Sequence, residues 1–110
     1  MKEISGGVCA PRGFKAGGIW CGIKAGSSKR DLALIYSEQH CTAAAMFTTN
    51  RVKAASVLVS KKHIAGGRLH AIIANSGNAN ACTGEAGLAA ARRMAELAAD
   101  EFALSPAHVA

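Results

Sequence analysis

From Gly84 to Ala103 the chain turns almost wholly to Ala, Leu, Met, Glu and Arg, all good helix formers. Within it Leu88, Ala91, Ala95, Ala98 and Phe102 fall on one stripe at helical spacing, which predicts a single amphipathic helix that must press this stripe against the rest of the chain. Thr83 stands in the N-cap position and Glu85 in the first turn, where a negative charge complements the helix dipole, while Ser105-Pro106 stops the helix. Everything before it is written in shorter runs.

Those runs read mostly as strands. Ile19-Trp20-Cys21-Gly22-Ile23 sits between the turns Gly17-Gly18 and Ala25-Gly26-Ser27-Ser28 and is expected as a short strand. Leu32-Ala33-Leu34-Ile35-Tyr36 is unbroken and apolar, as in a central strand covered on both faces. Ala43-Ala44-Ala45-Met46-Phe47 is expected as a strand that leaves the core where Thr48-Thr49-Asn50-Arg51 begins. Ser56-Val57-Leu58-Val59-Ser60 and His70-Ala71-Ile72-Ile73-Ala74 are two more, separated by the turn Ala65-Gly66-Gly67. For the first of them a helix over Ala54 to Ile64 competes, because Ala54, Ala55, Leu58 and Lys61-Lys62 suit a helix equally. His108-Val109-Ala110, after the helix and a turn, looks like the opening of another strand.

With 110 residues there is room for one domain or part of one. Half the residues are hydrophobic and 18% are charged, the balance of a chain that buries a core. Aromatics are only 5%, so the core must come from small residues in close contact. The formal charge of +6 suits acidic partners, small carboxylates included. Its basic residues are scattered, as at Lys61-Lys62 and Arg92-Arg93, with hardly any aromatic residue beside them, which argues against nucleic-acid binding by stacking. A small basic nucleic-acid-binding module is the alternative reading; steep salt dependence of duplex binding would mark it.

Met1-Lys2-Glu3-Ile4-Ser5-Gly6-Gly7 has no apolar leader core, and no uncharged run is apolar enough for a membrane span of ~20 residues. The expectation is a soluble, cytoplasmic protein with no membrane association. Cys9, Cys21, Cys41 and Cys82 lie far apart without a C-x-x-C pair, and are expected as free, mostly buried thiols. His40, His63, His70 and His108 share no metal-ligand spacing, so no metal is expected, and His40 beside Cys41 reads as an accident of a strand edge rather than a dyad.

Two polar islands could carry chemistry. Asn75-Ser76-Gly77-Asn78-Ala79-Asn80-Ala81-Cys82-Thr83-Gly84 joins a predicted strand to the long helix and could place amide donors and a helix N-terminus around an anion or carboxylate. The plainer reading is a tight turn satisfied by αL residues and side-chain caps. In Phe47-Thr48-Thr49-Asn50-Arg51-Val52-Lys53, Arg51 could grip a carboxylate bidentately and Lys53 add a point charge, although such pairs more often form a solvated loop face. No Ser sits in a G-x-S-x-G elbow and no phosphate loop is present, so the chain shows no complete catalytic constellation.

The two islands, together with Gly7-Val8-Cys9-Ala10-Pro11-Arg12-Gly13-Phe14 and Lys29-Arg30-Asp31-Leu32-Ala33-Leu34-Ile35, closely resemble the N-terminal part of the ornithine acetyltransferase family, the bifunctional glutamate N-acetyltransferases of arginine biosynthesis. The likeness covers essentially the whole chain, and the stretches 47–55 and 75–84 are its most specific pieces. It implies an α/β fold in which two sheets pack together between helical layers, with this chain as the N-terminal portion of that single domain. It also implies an enzyme that moves an acetyl group from N-acetylornithine to glutamate, in some members from acetyl-CoA as well, through an acetyl-enzyme intermediate and without a cofactor.

In the family the nucleophile is a Thr freed by self-cleavage at an Ala-Thr bond, which gives α and β chains that stay associated. This sequence has no Ala-Thr dipeptide: Thr42 follows Cys41, Thr48 follows Phe47, Thr49 follows Thr48 and Thr83 follows Cys82. No catalytic residue is therefore expected here, and both the nucleophile and the oxyanion-hole Thr-Gly pair are expected beyond Ala110. Thr83-Gly84 matches the end of the Asn-rich motif and is assigned to helix capping. Cys9 stands where a Thr is usual and Ser56 where a Pro is usual. Asn75, Ser76, Gly77, Asn78, Asn80, Arg51 and Lys53 are the candidates for shaping a substrate site. The implied partners are the rest of the α chain and the β chain, in an α2β2 assembly, with amino-acid substrates.

Overall fold

A computed structural model describes residues 3–110. Its framework is an antiparallel sheet in the order β1-β2-β3, with β1 at Phe14–Ile19, β2 at Leu32–Thr42 and β3 at Arg68–Asn75. The apolar run at Leu32–Tyr36 is the middle of this sheet: Leu34 pairs with Gly17 on one side and with Ile73 on the other. Pairing to β3 is interrupted between Tyr36 and Cys41. There the buried Ser37 hydroxyl donates to Gln39 O at 2.7 Å and accepts from Gln39 N, satisfying groups that the ladder leaves free.

The long helix forms as its composition demands. Here α2 spans Gly84–Glu101 and α1 spans Ala55–His63, with short 3-10 turns at Gly7–Cys9, Ile64–Gly66 and Pro106–His108. Ala95, Ala98 and Ala99 of α2 close on Ala71 and Val109, and Leu34, Tyr36, Ile73 and Leu104 pack around them. Small side chains let helix and sheet approach closely, while Phe102 supplies bulk by stacking on Tyr36, ring centroids 4.5 Å apart. A second cluster joins α1 to α2 through Ala55, Val59 and Ala91, with Leu88 against it.

Val109 and Ala110 return alongside β3. Ala110 N–H donates to Ala71 O at 3.0 Å and Ile73 N–H to Ala110 O at 2.8 Å, and Val109 bridges Ala71 in the parallel sense. This is the strand opening expected at His108-Val109-Ala110, and with α2 as the crossover it makes a βαβ arrangement. His63 Nδ1, 2.7 Å from Val109 O, ties the end of α1 to the same point.

Several expectations are corrected. The run at Ile19–Ile23 is a strand only at Ile19; β1 lies earlier and takes in Gly17-Gly18, and Trp20 to Ile23 form a loop because Asp31 draws their backbone out of line. Ser56–Ser60 is helical, as the competing reading had it, since Ala55 and Val59 at i and i+4 bury one face against Ala91. Ala43–Phe47 is no strand: Ala43 N–H bonds Gly67 O, but β3 starts at Arg68 and offers nothing further to pair with. Among the described residues the middle strand is covered on one face, by α2; Ala33 on the other is exposed and Ile35 half-buried. The cysteines are unpaired as expected, yet Cys9, Cys21 and Cys82 are exposed and only Cys41 is half-buried, because the first two and Cys82 sit in loops and turns outside the sheet. The reading of the first seven residues as leaderless rests partly on positions 1–2, which lie outside the described residues.

Candidate functional site

The Asn-rich segment leaves the end of β3 and folds into a compact hydrogen-bonded knot before α2. Asn75 Nδ2 donates to Asn78 O at 3.1 Å, and Asn78 Oδ1 accepts from Asn80 N–H at 3.1 Å. Asn80 is the hub: its Nδ2 donates to Gly87 O at 2.8 Å, its Oδ1 accepts from Thr83 Oγ1 at 2.6 Å, and its carbonyl accepts from Ala55 N–H at 3.1 Å. One side chain thus fastens the first turn of α2 while its backbone caps the first turn of α1. Ala54 and Ala81 form an antiparallel bridge at the same place, so both helix N-termini converge on this loop.

Such a path requires left-handed backbone. Asn80 and Cys82 have φ of 47° and 57°, and Asn tolerates that region better than most residues. Thr83 occupies the N-cap position as expected, but its hydroxyl bonds Asn80 rather than a helix N–H, and the capping is left to backbone, with Gly87 N–H on Thr83 O at 3.3 Å.

Beside the knot lies a cavity of about 180 Å³ lined by Asn75, Asn78, Asn80, Ser56, Ile23 and Met94, among others. Its lining mixes amide and hydroxyl groups with apolar side chains, the mixture that fixes a small polar ligand. Ser76 and Gly77 do not line it. Their role is to hold a neighbouring loop: Ser76 N–H donates to Asp31 O at 2.8 Å, and Gly77, at φ 102°, lets the backbone of Lys24 approach to where a β-carbon would touch it at 3.0 Å.

The second island is placed nearby but not in the cavity. Arg51 is exposed and Lys53 half-buried, neither lines the cavity, and among the described residues neither makes an ion pair. The bridge at Ala54 sets Lys53 one residue from the Asn-rich knot. Asn50 and Thr48 are spent on local turns, through Val52 N–H to Asn50 Oδ1 and Asn50 N–H to Thr48 Oγ1.

Sequence reasoning overlooked Asp31. It is 2% exposed and accepts from Cys21 N–H at 2.7 Å, Lys24 N–H at 3.1 Å and Cys21 Sγ at 3.2 Å. The Cys21 N–H bond, aided by that of Lys24 and opposed by burial, holds its carboxyl at about 2, below the ordinary 3.8. The bond that the Cys21 thiol itself gives to the Asp31 carboxylate, with burial, raises that thiol. Since the unfolded chain takes up this proton at 3.8 and the folded chain only at about 2, the stabilisation is full above 3.8 and is lost as pH falls towards 2. In acid unfolding of the complete protein that carries this chain, the stability gap between wild type and Asp31→Asn is therefore expected to narrow across that window. A gap independent of pH would contradict it.

Elsewhere, the rings of His40, His70 and His108, distant in sequence, gather with centroids 4.0 to 6.1 Å apart. Among the described residues no group of three His, Cys, Asp or Glu is arranged to hold a metal ion, and no described helix is long and apolar enough to cross a membrane.

Comparison with solved structures defines the class. The chain superposes with a TM-score of 0.90 and 40% identity on the crystal structure of the arginine biosynthesis bifunctional protein ArgJ from Bacillus halodurans, over 96% of this chain and 55% of that one. It superposes with a TM-score of 0.87 and 47% identity on ornithine acetyltransferase from Mycobacterium tuberculosis, solved in complex with ornithine, over 94% of this chain and 56% of that one. The fold is thus the α/β fold of the ornithine acetyltransferases, and the described residues contribute one sheet and one helical layer of it. Among curated proteins, ArgJ of Symbiobacterium thermophilum is 49% identical over 96% of this chain, and an ArgJ of Clostridium acetobutylicum is 54% identical over 87%. The family model described as the ArgJ family matches residues 15–110, and the chain belongs to that family. It spans about a quarter of the length of these curated relatives, 27% and 23%.

Proposed function

We propose that the chain is the N-terminal portion of the single α/β domain of an acetyltransferase of arginine biosynthesis, an enzyme that moves acetyl from N-acetylornithine to glutamate. The observation that carries this reading is membership of the ArgJ family across residues 15–110, the stretch that includes both polar islands. Nothing in the comparisons favours a nucleic-acid-binding module. The reaction proceeds through an acetyl-Thr intermediate, with acetyl-CoA as a further donor in some members, needs no cofactor and takes place in the cytoplasm.

In this reading the nucleophilic Thr and the oxyanion pair belong to residues after Ala110, and self-cleavage yields α and β chains that assemble as α2β2. Support for cleavage comes from lengths: the matched stretch is 27% of one curated relative but 55% of one solved chain, as expected if the solved chains are about half as long. The residues present here bind and position. The amides of Asn75, Asn78 and Asn80 hold one wall of a polar cavity, Ser76 and Gly77 lock the neighbouring loop, and Arg51 and Lys53 supply positive charge near the carboxylates of the amino-acid substrates.

The test is acetyl transfer from N-acetylornithine to glutamate, measured for this chain and for the chain extended through the Ala-Thr cleavage site to a natural C-terminus. Activity is expected only in the extended protein. There, Asn78→Ala is expected to lower kcat/KM about tenfold, the size of one lost hydrogen-bonding contact in a site. Activity in neither protein, or in the short chain, would overturn the reading.

A further inference from the structure

We propose that Asp31 is a positioning residue for the Asn75–Asn80 cavity, holding the turn Cys21–Lys24 in place as one of its walls; this rests on reading that cavity as part of the acetyl-transfer site. Asp31 joins three pieces of chain. Its backbone N–H donates to Ile19 O at 2.9 Å, at the end of β1; its carbonyl accepts from Ser76 N–H at 2.8 Å, at the start of the Asn-rich segment; and its carboxylate takes both backbone N–H groups of the turn, Cys21 at 2.7 Å and Lys24 at 3.1 Å. Between those two anchors lies Ile23, which lines the cavity together with Asn75 and Asn78.

Packing fixes the distance as well as the direction. A β-carbon on Gly77 would meet Lys24 Cα and Cβ at 3.0 Å, so the turn lies directly against the Asn-rich segment, at a separation that glycine permits. Asp31 is also the one buried acidic residue among those described. Burying a charge is costly unless it makes bonds that a neutral group cannot, and here each carboxylate oxygen serves a different backbone donor. An Asn in its place has a single acceptor oxygen. Whichever way the amide turns, its NH2 faces an N–H, and one end of the turn is released while side-chain volume is kept.

The experiment uses the complete enzyme that carries this chain, with Asp31→Asn and Ile23→Ala compared with wild type. Two readouts are taken: hydrogen exchange at the Cys21 and Lys24 amides, and steady-state acetyl transfer with N-acetylornithine. For Asp31→Asn, faster exchange at one or both amides is expected together with a KM raised about tenfold and a kcat within about twofold, the signature of lost substrate positioning. Ile23→Ala is expected to raise KM similarly while leaving that exchange unchanged. Faster exchange at unchanged KM in Asp31→Asn, or exchange that does not change, would overturn the proposal. If Asp31→Asn does not fold, Asp31→Glu, which displaces the carboxylate by one methylene, takes its place with the same expected and overturning results. The reading of the cavity itself is judged separately by Asn78→Ala, since amide exchange reports the turn whether or not the cavity serves acetyl transfer.

Discussion

Gly87→Ala destabilises the complete protein by about 3 kcal/mol, the opposite of what helix propensity alone dictates. Gly87 lies in the first turn of α2, and exchanging Gly for Ala inside a helix ordinarily gains ~1 kcal/mol. At this position, however, the residue is buried, and a methyl group would overlap Thr83 Oγ1 and Cβ and Asn80 Oδ1. These are the atoms of the Thr83 to Asn80 hydrogen bond, and the Gly87 carbonyl is itself the acceptor for Asn80 Nδ2. Overpacking costs ~1–3 kcal/mol and the unsatisfied groups left by a displaced Asn80 cost ~1–3 more, so the clash outweighs the propensity. Because Asn80 O also caps α1 through Ala55 N–H, loosening should spread to both helix N-termini. Denaturant unfolding checks the size, and hydrogen exchange at Ala55 and Gly87 checks the place. The exposed Ala89→Gly, without such contacts, should lose only ~1 kcal/mol. A stabilised Gly87→Ala would show that the knot is not tight.

The contrast between these two positions shows what the residues reveal on their own. Propensity and period identify α2 and its buried stripe, because eighteen residues of one character outvote local noise. They also place β3 and the middle of β2. They divide over α1, where Ser56 to Ser60 is short and β-branched and only the pairing of Ala55 and Val59 with Ala91 settles the conformation. The Asn-rich loop is visible as composition, and its resemblance to one family is specific enough to point to the fold. What composition hides is which polar residue holds what. Asn80 looks like its neighbours, yet it alone bonds both helices. Asp31 follows Lys29 and Arg30 and reads as part of a solvated charged turn; only the folded loop, which closes back over ten residues to reach Cys21, shows that it is buried. The signal that could have found it is its place immediately before an apolar strand, where a lone acid has backbone donors to satisfy.

The 110-residue chain by itself is expected to show no cooperative thermal transition and to elute as aggregate. Its sheet is covered by α2 on one face. The register puts Phe14, Ala16, Ala33, Ile35, Ile72 and Ala74 together on the other, and Ile72 is 46% exposed. Two-sheet folds bury an apolar face of this kind beneath a second sheet. Burying a large aliphatic or aromatic side chain contributes ~1.5–3 kcal/mol, so leaving Phe14 and Ile35 half-buried and Ile72 exposed forfeits a few kcal/mol. A whole domain has only ~5–15 kcal/mol to lose. The edges add to the problem: β1 has one unpaired side, and Val109 and Ala110 pair with only part of β3. An apolar face flanked by open edges favours association over solvation, so aggregation should precede unfolding. Circular dichroism, size exclusion and binding of a hydrophobic dye, compared with the protein extended to its natural C-terminus, provide the test. A clean monomer with a sharp melting transition would mean that the alanine core at Ala71, Ala95, Ala98 and Ala99 carries the fold without the second sheet.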